Sequence, residues 1–257
     1  MKKISRNVKA LLFLAVALIS LLILMNVPEN KRQIKTRHFT FTCSTGLDST
    51  KLVDLAKALE ENYSRVSQDL KTVPANNIEV NIYAERWRYI QATHNWTASG
   101  SIEGTSKLHF IEQTWSQTDN KKVAVHEFTH AVFLKLLIDR EPQPLDEKKF
   151  NKKFSGIPVW LWEGVSVYEA GQFNDPKTMP FFSNGSYPTL NKLNNRSKGG
   201  KIYSAGYTII EYILYKYGQD KLIELIASYG NLQQTLGVTE EQFTKAWYGF
   251  IKGKYFK

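Results

Sequence analysis

Apolar and polar residues alternate over three short runs in the first half of the chain, which predicts three strands. The runs are His38 to Cys43, Ile78 to Ile82 and Lys107 to Glu112. Between the first two, apolar residues recur at steps of three and four, which predicts an amphipathic helix over Asp48 to Leu70. This half of the chain therefore combines a small sheet with a helix.

The second half carries helical patterns, and the predicted helices cover 121–140, 160–170, 202–217, 219–229 and 239–251. Thr239 with Gln242 fits a capping box at the start of the last one. The predicted fold class is therefore α+β. An α/β part spans 38–118, and a mostly helical part spans 119–257.

Two segments show no periodicity. Gly171 to Gly200 is rich in Gly, Pro, Asn and Ser and is longer than most loops in compact domains, and such loops often serve function. We expect it either to cover a functional site or to wrap over the core. Glu141 to Pro158, which contains the charge run DEKKFNKKF, is expected to be a surface excursion.

The helix predicted over 121–140 contains the pentad HEFTH. It has no Gly or Pro, Thr118 or Asp119 can cap its start, and apolar residues surround it almost completely, which indicates burial. Residues four apart share a helix face, so His126 and His130 can aim two imidazole nitrogens at one point. This arrangement is half of a zinc site.

Two histidines and Glu127 inside a buried helix need polar partners, because leaving them uncompensated costs on the order of several kcal/mol. One metal ion with a water satisfies all three groups together. Alternatively, both histidines bind backbone carbonyls and Glu127 pairs with a buried Lys or Arg. In the metal interpretation, Glu127 can take a proton from water as a general base.

The segment PVWLWEGVSVYEA, from Pro158 to Ala170, offers a third ligand. Here the chain resembles the gluzincin metallopeptidases, the thermolysin-like and aminopeptidase-like enzymes of the peptidase MA superfamily. In that superfamily HExxH is followed by a second helix that bears a glutamate ligand in a WLxEGxA-like setting. Trp160, Leu161, Glu163 and Gly164 match this setting. The resemblance implies a zincin-like fold.

It also implies Zn²⁺ as the cofactor, with His126, His130 and Glu163 as its ligands and the fourth position left to water. Zinc lowers the pKa of a bound water to roughly 7, and Glu127 is the implied base toward that water. The substrate implied is a peptide or protein.

Two further roles follow from the resemblance. A tyrosine from a later helix often stabilises the oxyanion in this superfamily, which points to Tyr203, with Tyr207 as the neighbouring alternative. The edge strand before the HExxH helix binds the peptide as an added strand, which makes Lys107 to Glu112 the expected substrate-binding strand.

The chain also departs from the family pattern. Many members carry Asn where this chain has Trp162 and Ala where it has Ser166. Val167 occupies the place of an aspartate that supports a histidine in thermolysin, so another group must orient the imidazoles, and Glu169 is one option. The GAMEN-like strand of aminopeptidases is absent, because its usual place holds GTSKLHFI at Gly104 to Ile111. This absence favours an endopeptidase.

Positive charges at the amino terminus precede an apolar-rich run from Ala10 to Met25, and the uncharged stretch continues to Pro28. This length lies between a long signal core and a short membrane span. Because no pair of small residues follows as a cleavage site, we expect an uncleaved signal anchor with its start in the cytoplasm. Residues 1–30 are then the cytoplasmic stub and transmembrane helix, and 31–257 are the extracytoplasmic domain, which is secreted if the anchor is cut.

The formal net charge is +10, which favours contact with anionic lipid headgroups or wall polymers, or is simply a solvated cationic surface. No segment has the pattern of a nucleic-acid-binding module. The single cysteine, Cys43, excludes an internal disulfide. The remaining histidines, His38, His94 and His109, lack metal spacing, and His38 and His109 are expected to point toward solvent.

These patterns predict a membrane-anchored, zinc-dependent peptidase at the outer face of the cytoplasmic membrane. The alternative is a catalytically inactive zinc-bearing binding or scaffold domain at the cell surface. In a third interpretation the histidines are structural and the chain is an adhesin-like surface domain.

Overall fold

A mixed sheet of five strands and a set of helices form the fold in a computed structural model that describes residues 13–16, 30–112, 119–195 and 201–257. The strands are β1 (Lys31–Lys35), β2 (Phe39–Ser44), β3 (Ile78–Tyr83), β4 (Gly100–Glu103) and β5 (Lys107–Ile111). Across the sheet their order is β1-β2-β3-β5-β4. The central strands β2, β3 and β5 are parallel, and the edge strands β1 and β4 are antiparallel to their neighbours.

The remainder of the described chain is mostly helical. The helices are α1 (Ser49–Asp69), α2 (Arg86–Thr93), α3 (Asn120–Arg140), α4 (Glu147–Phe154), α5 (Val159–Glu169), α6 (Pro180–Ser183), α7 (Leu190–Leu193), α8 (Lys201–Tyr217), α9 (Gln219–Ala227), α10 (Leu232–Leu236) and α11 (Glu240–Tyr255). The α+β fold class predicted from the sequence is therefore confirmed.

One face of the sheet packs against α1 and α3. Phe39 of β2 contacts both helices, because its ring lies 6.0 Å from that of Tyr63 and 5.6 Å from that of Phe128. All three belong to the apolar faces that the sequence pattern predicts. Truncating a buried phenylalanine of this kind to alanine typically costs about 3–5 kcal/mol. This packing fixes α3 against the sheet.

Helix α2 covers the opposite face of the sheet and buries His109. The His109 side chain is almost fully buried, with Nδ1 3.0 Å from the hydroxyl of Tyr83, and Tyr89 of α2 packs edge-on against Tyr83. The prediction that His109 points to solvent is therefore wrong. The error arises because α2 comes from a Trp- and Arg-rich segment whose sequence shows no helical period. His38 is only partly exposed, and its Nδ1 lies 2.6 Å from a carboxylate oxygen of Glu60.

Two glycines set the distance between α5 and α8. A Cβ placed on Gly206 would stand 3.0 Å from the Cα of Gly164, closer than side chains normally come to a backbone. The two helices therefore pack backbone to backbone at this point. Glu163 directly precedes Gly164, so the same contact holds Glu163 in place.

The two segments without periodicity are partly helical. The first contains a 3-10 turn (Pro176–Thr178), α6 and α7, and it buries Phe182 and Leu190, so over 171–195 it is an ordered wrap over the core. Residues 196–200 lie outside the described part. The second segment contains α4, which the sequence reading treated only as a charge run.

The predicted membrane segment, Ala10 to Met25, lies outside the described residues except for 13–16, which are helical. Within the described ranges, no helix has both the length and the apolar composition needed to cross a bilayer.

Candidate metal centre

Helix α3 carries the HEFTH pentad at its buried centre. The carboxylate of Asp119 accepts the backbone N–H of Lys122 and so caps the helix, whereas Thr118, the other candidate cap, lies outside the described residues. The helix packs against α1, β4, β5 and α5. This packing leaves His126 7% and His130 5% exposed.

Three predicted ligands meet between α3 and α5. Nε2 of His126 lies 3.2 Å, and Nε2 of His130 3.5 Å, from the same oxygen of Glu163, and the ligand atoms of all three lie within 4.8 Å of one another. Two atoms bound at about 2.0–2.2 Å in a tetrahedral zinc site stand about 3.3–3.6 Å apart, so the observed spacing suits such an ion. The group could therefore hold a metal.

The histidines also keep the Glu163 carboxyl in its ionised form. Burial alone would raise the pKa of the Glu163 carboxyl, but hydrogen bonds and charge from His126 and His130 outweigh burial and hold that pKa well below its usual range. Burial likewise opposes the charged form of His126, but the Glu163 carboxylate and the nearby Glu127 raise its pKa. The Glu163 carboxyl is therefore ionised where the three ligand atoms converge, which is the form that binds a metal.

Each imidazole has an oxygen partner at its second nitrogen. Nδ1 of His126 lies 3.0 Å from Oε1 of Gln172, and Nδ1 of His130 lies 2.9 Å from Oγ of Ser166. If both Nδ1 atoms carry the proton and donate it, both Nε2 lone pairs face Glu163 as metal binding requires. The sequence marked Ser166 as a departure from the family pattern but gave no sign of Gln172, which lies in the loop after α5.

Glu169, the orienting group considered from the sequence, has a different partner. Its carboxylate lies 2.5 Å from Nη1 of Arg65 on α1, and its backbone carbonyl accepts Nη2 of the same guanidinium. Burial raises the pKa of Glu169 to about 7 in spite of Arg65. Glu169 therefore ties α5 to α1 and does not orient either histidine.

Trp162, the other departure from the family pattern, stacks on a ligand. Its ring lies 4.2 Å from that of His130 at an interplanar angle of 11°. Phe133 and Phe154 pack edge-on against the same indole. The substitution of Trp for Asn thus gives His130 an aromatic wall.

Glu127 faces a cleft of about 540 Å³. The cleft is lined by Asn95, Thr97, Ala98, Gly100, Ser101, Ile102, His126, Glu127, His130, Trp162, Glu163 and Tyr203. The Glu127 side chain packs against the backbone of β4 at Gly100, where no larger residue fits without displacing it, because a Cβ there would stand 2.7 Å from Cγ of Glu127. The carboxylate of Glu127 therefore lies between the edge strand and the candidate metal ligands.

The strand that lines the cleft is β4, and the sequence prediction for Lys107 to Glu112 is wrong on this point. β5, at Lys107–Ile111, is paired on both sides, with β3 and with β4, so its backbone is not open to an added strand. β4 has four residues and includes Gly100 and Ser101, which is too short and too polar to give an alternating pattern. Among the described strands, β4 is therefore the edge strand on this side of the sheet.

Tyr203 lies at the cleft, and Tyr207 does not line it. Tyr203 is in the first turn of α8, is 43% exposed, and its ring lies 6.3 Å from that of His126. Tyr207 packs one turn later against Tyr168 and Phe173. Of the two candidates, Tyr203 is the one whose side chain borders the candidate ligands.

Comparison with models of known protein families finds a match. Residues 95–254 match the family model described as the peptidase MA superfamily, which is more than half of the chain. The matched range begins just before β4 and contains every residue of the candidate metal centre. A search of curated proteins found no match.

Proposed function

The chain belongs to the peptidase MA superfamily, and from this membership we propose that it is a zinc-dependent peptidase that hydrolyses peptide bonds. The observation that carries the proposal is the meeting of His126, His130 and Glu163 around one point, with Glu127 in the adjoining cleft. A zinc-dependent hydrolase needs both parts, a place for the metal and a base that can reach the attacking water.

Zinc is the proposed ion because of the donor set. Two imidazole nitrogens and one carboxylate are typical of catalytic zinc, whereas calcium and magnesium favour sites built from oxygen. When bound, the ion would polarise the scissile carbonyl and make a water acidic enough to attack near neutral pH.

The residues of the chain have distinct tasks in this mechanism. Glu127 accepts the proton of the attacking water and then gives it to the leaving nitrogen. Tyr203 donates its phenolic hydrogen toward the negative charge that develops on the carbonyl oxygen. Ser166 and Gln172 keep both imidazoles in the orientation and tautomer that the ligand role requires.

We propose β4 as the strand that binds the substrate. Its antiparallel edge borders the cleft, and an extended peptide can add to such an edge through backbone hydrogen bonds. The absence of an aminopeptidase motif at Gly104 to Ile111 supports cleavage within a chain rather than at a free amino terminus.

We further propose that the segment from Ala10 to Met25 anchors the protein in the cytoplasmic membrane, with residues 31–257 outside. Of the chain's net charge of +10, residues 1–30 hold +3, and the +7 that remains on residues 31–257 supports contact of that domain with anionic lipid headgroups or wall polymers. Added protease should degrade the domain in intact cells from which the wall has been removed, and full protection would contradict this orientation.

The test of the enzymatic proposal uses the full-length protein in detergent. Glu127→Gln should keep one zinc per chain but lose cleavage of a peptide library by at least about a thousandfold, because the base is gone and the ligands remain. Glu163→Gln should weaken zinc binding and activity together. A wild-type protein that binds zinc but cuts no peptide would favour the scaffold alternative.

A further inference from the structure

A second cavity adjoins the cleft and shares one wall with it. The cavity measures about 610 Å³ and lies where the connection between α4 and α5 meets the end of α7. Trp162 lines both this cavity and the cleft. We refer to the cavity as the Trp162 pocket.

Only one aromatic ring separates the Trp162 pocket from a candidate metal ligand. The indole of Trp162 stacks at 4.2 Å on the ring of His130, and Phe154, which also lines the pocket, packs edge-on against that indole at 5.3 Å. An extended peptide advances by about 3.3 Å per residue and turns alternate side chains to the same side. A peptide that runs along the cleft past Trp162 would thus bring a side chain one or two residues from the scissile bond beside the pocket.

Among the described residues, the lining of the pocket is mostly apolar and contains no charged side chain. Phe154, Ile157, Val159 and Trp162 form most of it, and the polar side chains beside them already have partners. The hydroxyl of Ser155 donates to the carbonyl of Lys152, and Oδ1 of Asn194 accepts the backbone N–H of Trp160. A ligand in this pocket is therefore selected by its apolar surface and not by a charge.

We propose that the Trp162 pocket is a specificity subsite that takes a large apolar side chain, aromatic or branched, of the peptide substrate. The proposal rests on the peptidase function proposed above and adds the class of residue preferred near the cut. The wall that the pocket shares with the cleft at Trp162 is what ties the pocket to the substrate.

Ser155→Tyr tests the proposal, because Ser155 is exposed and a larger side chain there fills the pocket without replacing an apolar wall. Ser183→Tyr is the matched control. Ser183 is also exposed at the end of a helix, its hydroxyl donates to the carbonyl three residues earlier as that of Ser155 does, and it lines neither cavity.

The first readout is the sequence profile of cleaved peptides. Wild-type protein should prefer Phe, Leu or Met over Ala at one position within two residues of the cut by about tenfold or more in kcat/KM, as burial of a large apolar side chain implies. Ser155→Tyr should lower this ratio of kcat/KM values to near one, and Ser183→Tyr should leave it unchanged. An unchanged ratio in Ser155→Tyr would overturn the proposal.

The second readout does not depend on turnover. Binding of a Phe-containing peptide and its Ala analogue to Glu127→Gln is measured by tryptophan fluorescence, with and without Ser155→Tyr. If the Phe peptide binds more tightly than the Ala peptide and Ser155→Tyr removes this difference, the subsite is supported. Failure of the wild-type protein to cut any peptide would then count against the enzyme proposal but not against the subsite. Equal binding of the two peptides rejects the subsite.

Discussion

Ser166 places its hydroxyl oxygen 2.9 Å from Nδ1 of His130, the ring nitrogen that faces away from Glu163. The serine stands one turn after Glu163 on α5, so one helix supplies both a candidate ligand and the group that orients another. The contact links the two helices that carry the candidate metal ligands through a buried hydrogen bond.

Ser166→Ala should therefore weaken zinc binding. Loss of such a partner of a ligand typically lowers metal affinity by about 10- to 100-fold, because the imidazole is free to rotate and change tautomer. Competition with a chromophoric chelator measures the change. Thr129→Val is the control, since it removes a fully buried hydroxyl of α3 that donates only to the carbonyl of Val125. Equal affinity in Ser166→Ala and wild type would contradict the assigned role.

Gln172 permits a test of the same principle at His126. Gln172→Leu should reduce zinc affinity by about tenfold, whereas Gln172→Glu should preserve or raise it, because a carboxylate is a stronger acceptor for the Nδ1 proton. Gln219→Leu provides a comparison, since Gln219 is similarly buried and its amide binds the carbonyl of Asp69, far along the chain from the ligands. If Gln172→Glu binds zinc no better than Gln172→Leu, the hydrogen bond to His126 does not determine the zinc affinity.

Gly100→Ala should impair catalysis while sparing the metal. The added Cβ would meet Cγ of Glu127 at 2.7 Å, so the carboxylate must move, and a displacement of about 1 Å can cost on the order of 100-fold in rate. Measurement of kcat together with zinc stoichiometry separates the two effects. Gly249→Ala adds a Cβ in open space and should leave both unchanged. Full activity in Gly100→Ala would mean that Glu127 does not act from its observed position.

Glu60 should make the stability of the domain depend on pH. Burial would raise the pKa of its carboxyl, but hydrogen bonds from Thr36 and His38 outweigh burial and lower that pKa in the folded state. The folded protein therefore binds fewer protons than the unfolded chain, so this stabilisation is present above the unfolded pKa of about 4.3 and is lost as the pH falls through the lower, folded value.

The corresponding experiment compares Glu60→Gln with wild type in urea and excess chelator, so that metal release does not contribute. At pH 7 the free energy of unfolding of the variant should be lower than that of wild type by about 1 kcal/mol, a modest value because the Glu60 carboxylate is partly exposed to solvent. This difference in stability should shrink below about pH 4. Glu61→Gln removes a 62%-exposed carboxylate 3.7 Å from Lys57 and should show little difference at either pH. A gap between wild type and Glu60→Gln that is constant with pH would exclude this linkage.

The sequence predicted the long helices and the three central strands well, but it missed the short helices and both edge strands. α1 and α3 lie within one residue of the predicted bounds at each end, because each has many apolar positions with a consistent period. β4 and α2 were missed because four or eight residues give too few positions for a period to appear. The edge-strand assignment at Lys107 to Glu112 failed for this reason.

The candidate site was predictable where its spacing is local. The i, i+4 relation of His126 and His130 is set by helix geometry alone, and the WLWEG setting marked Glu163 through resemblance. Gln172 was not predictable, since its contact with His126 joins residues far apart in sequence and leaves no periodic signal. His109 was misplaced for a related reason, because a helix elsewhere in the chain decides its exposure.

By itself, the sequence determined most of the regular elements and the pairing of His126 with His130, with Glu127 between them. The reason is that backbone hydrogen bonding repeats at fixed intervals and brings residues at those intervals to one face. Tertiary structure alone decided which strand is left open at the cleft and which oxygens hold the imidazoles. It also placed Trp162 between the cleft and a second cavity. Those relations depend on how separate elements pack, through contacts such as that of Gly164 with Gly206, and no interval along the chain encodes them.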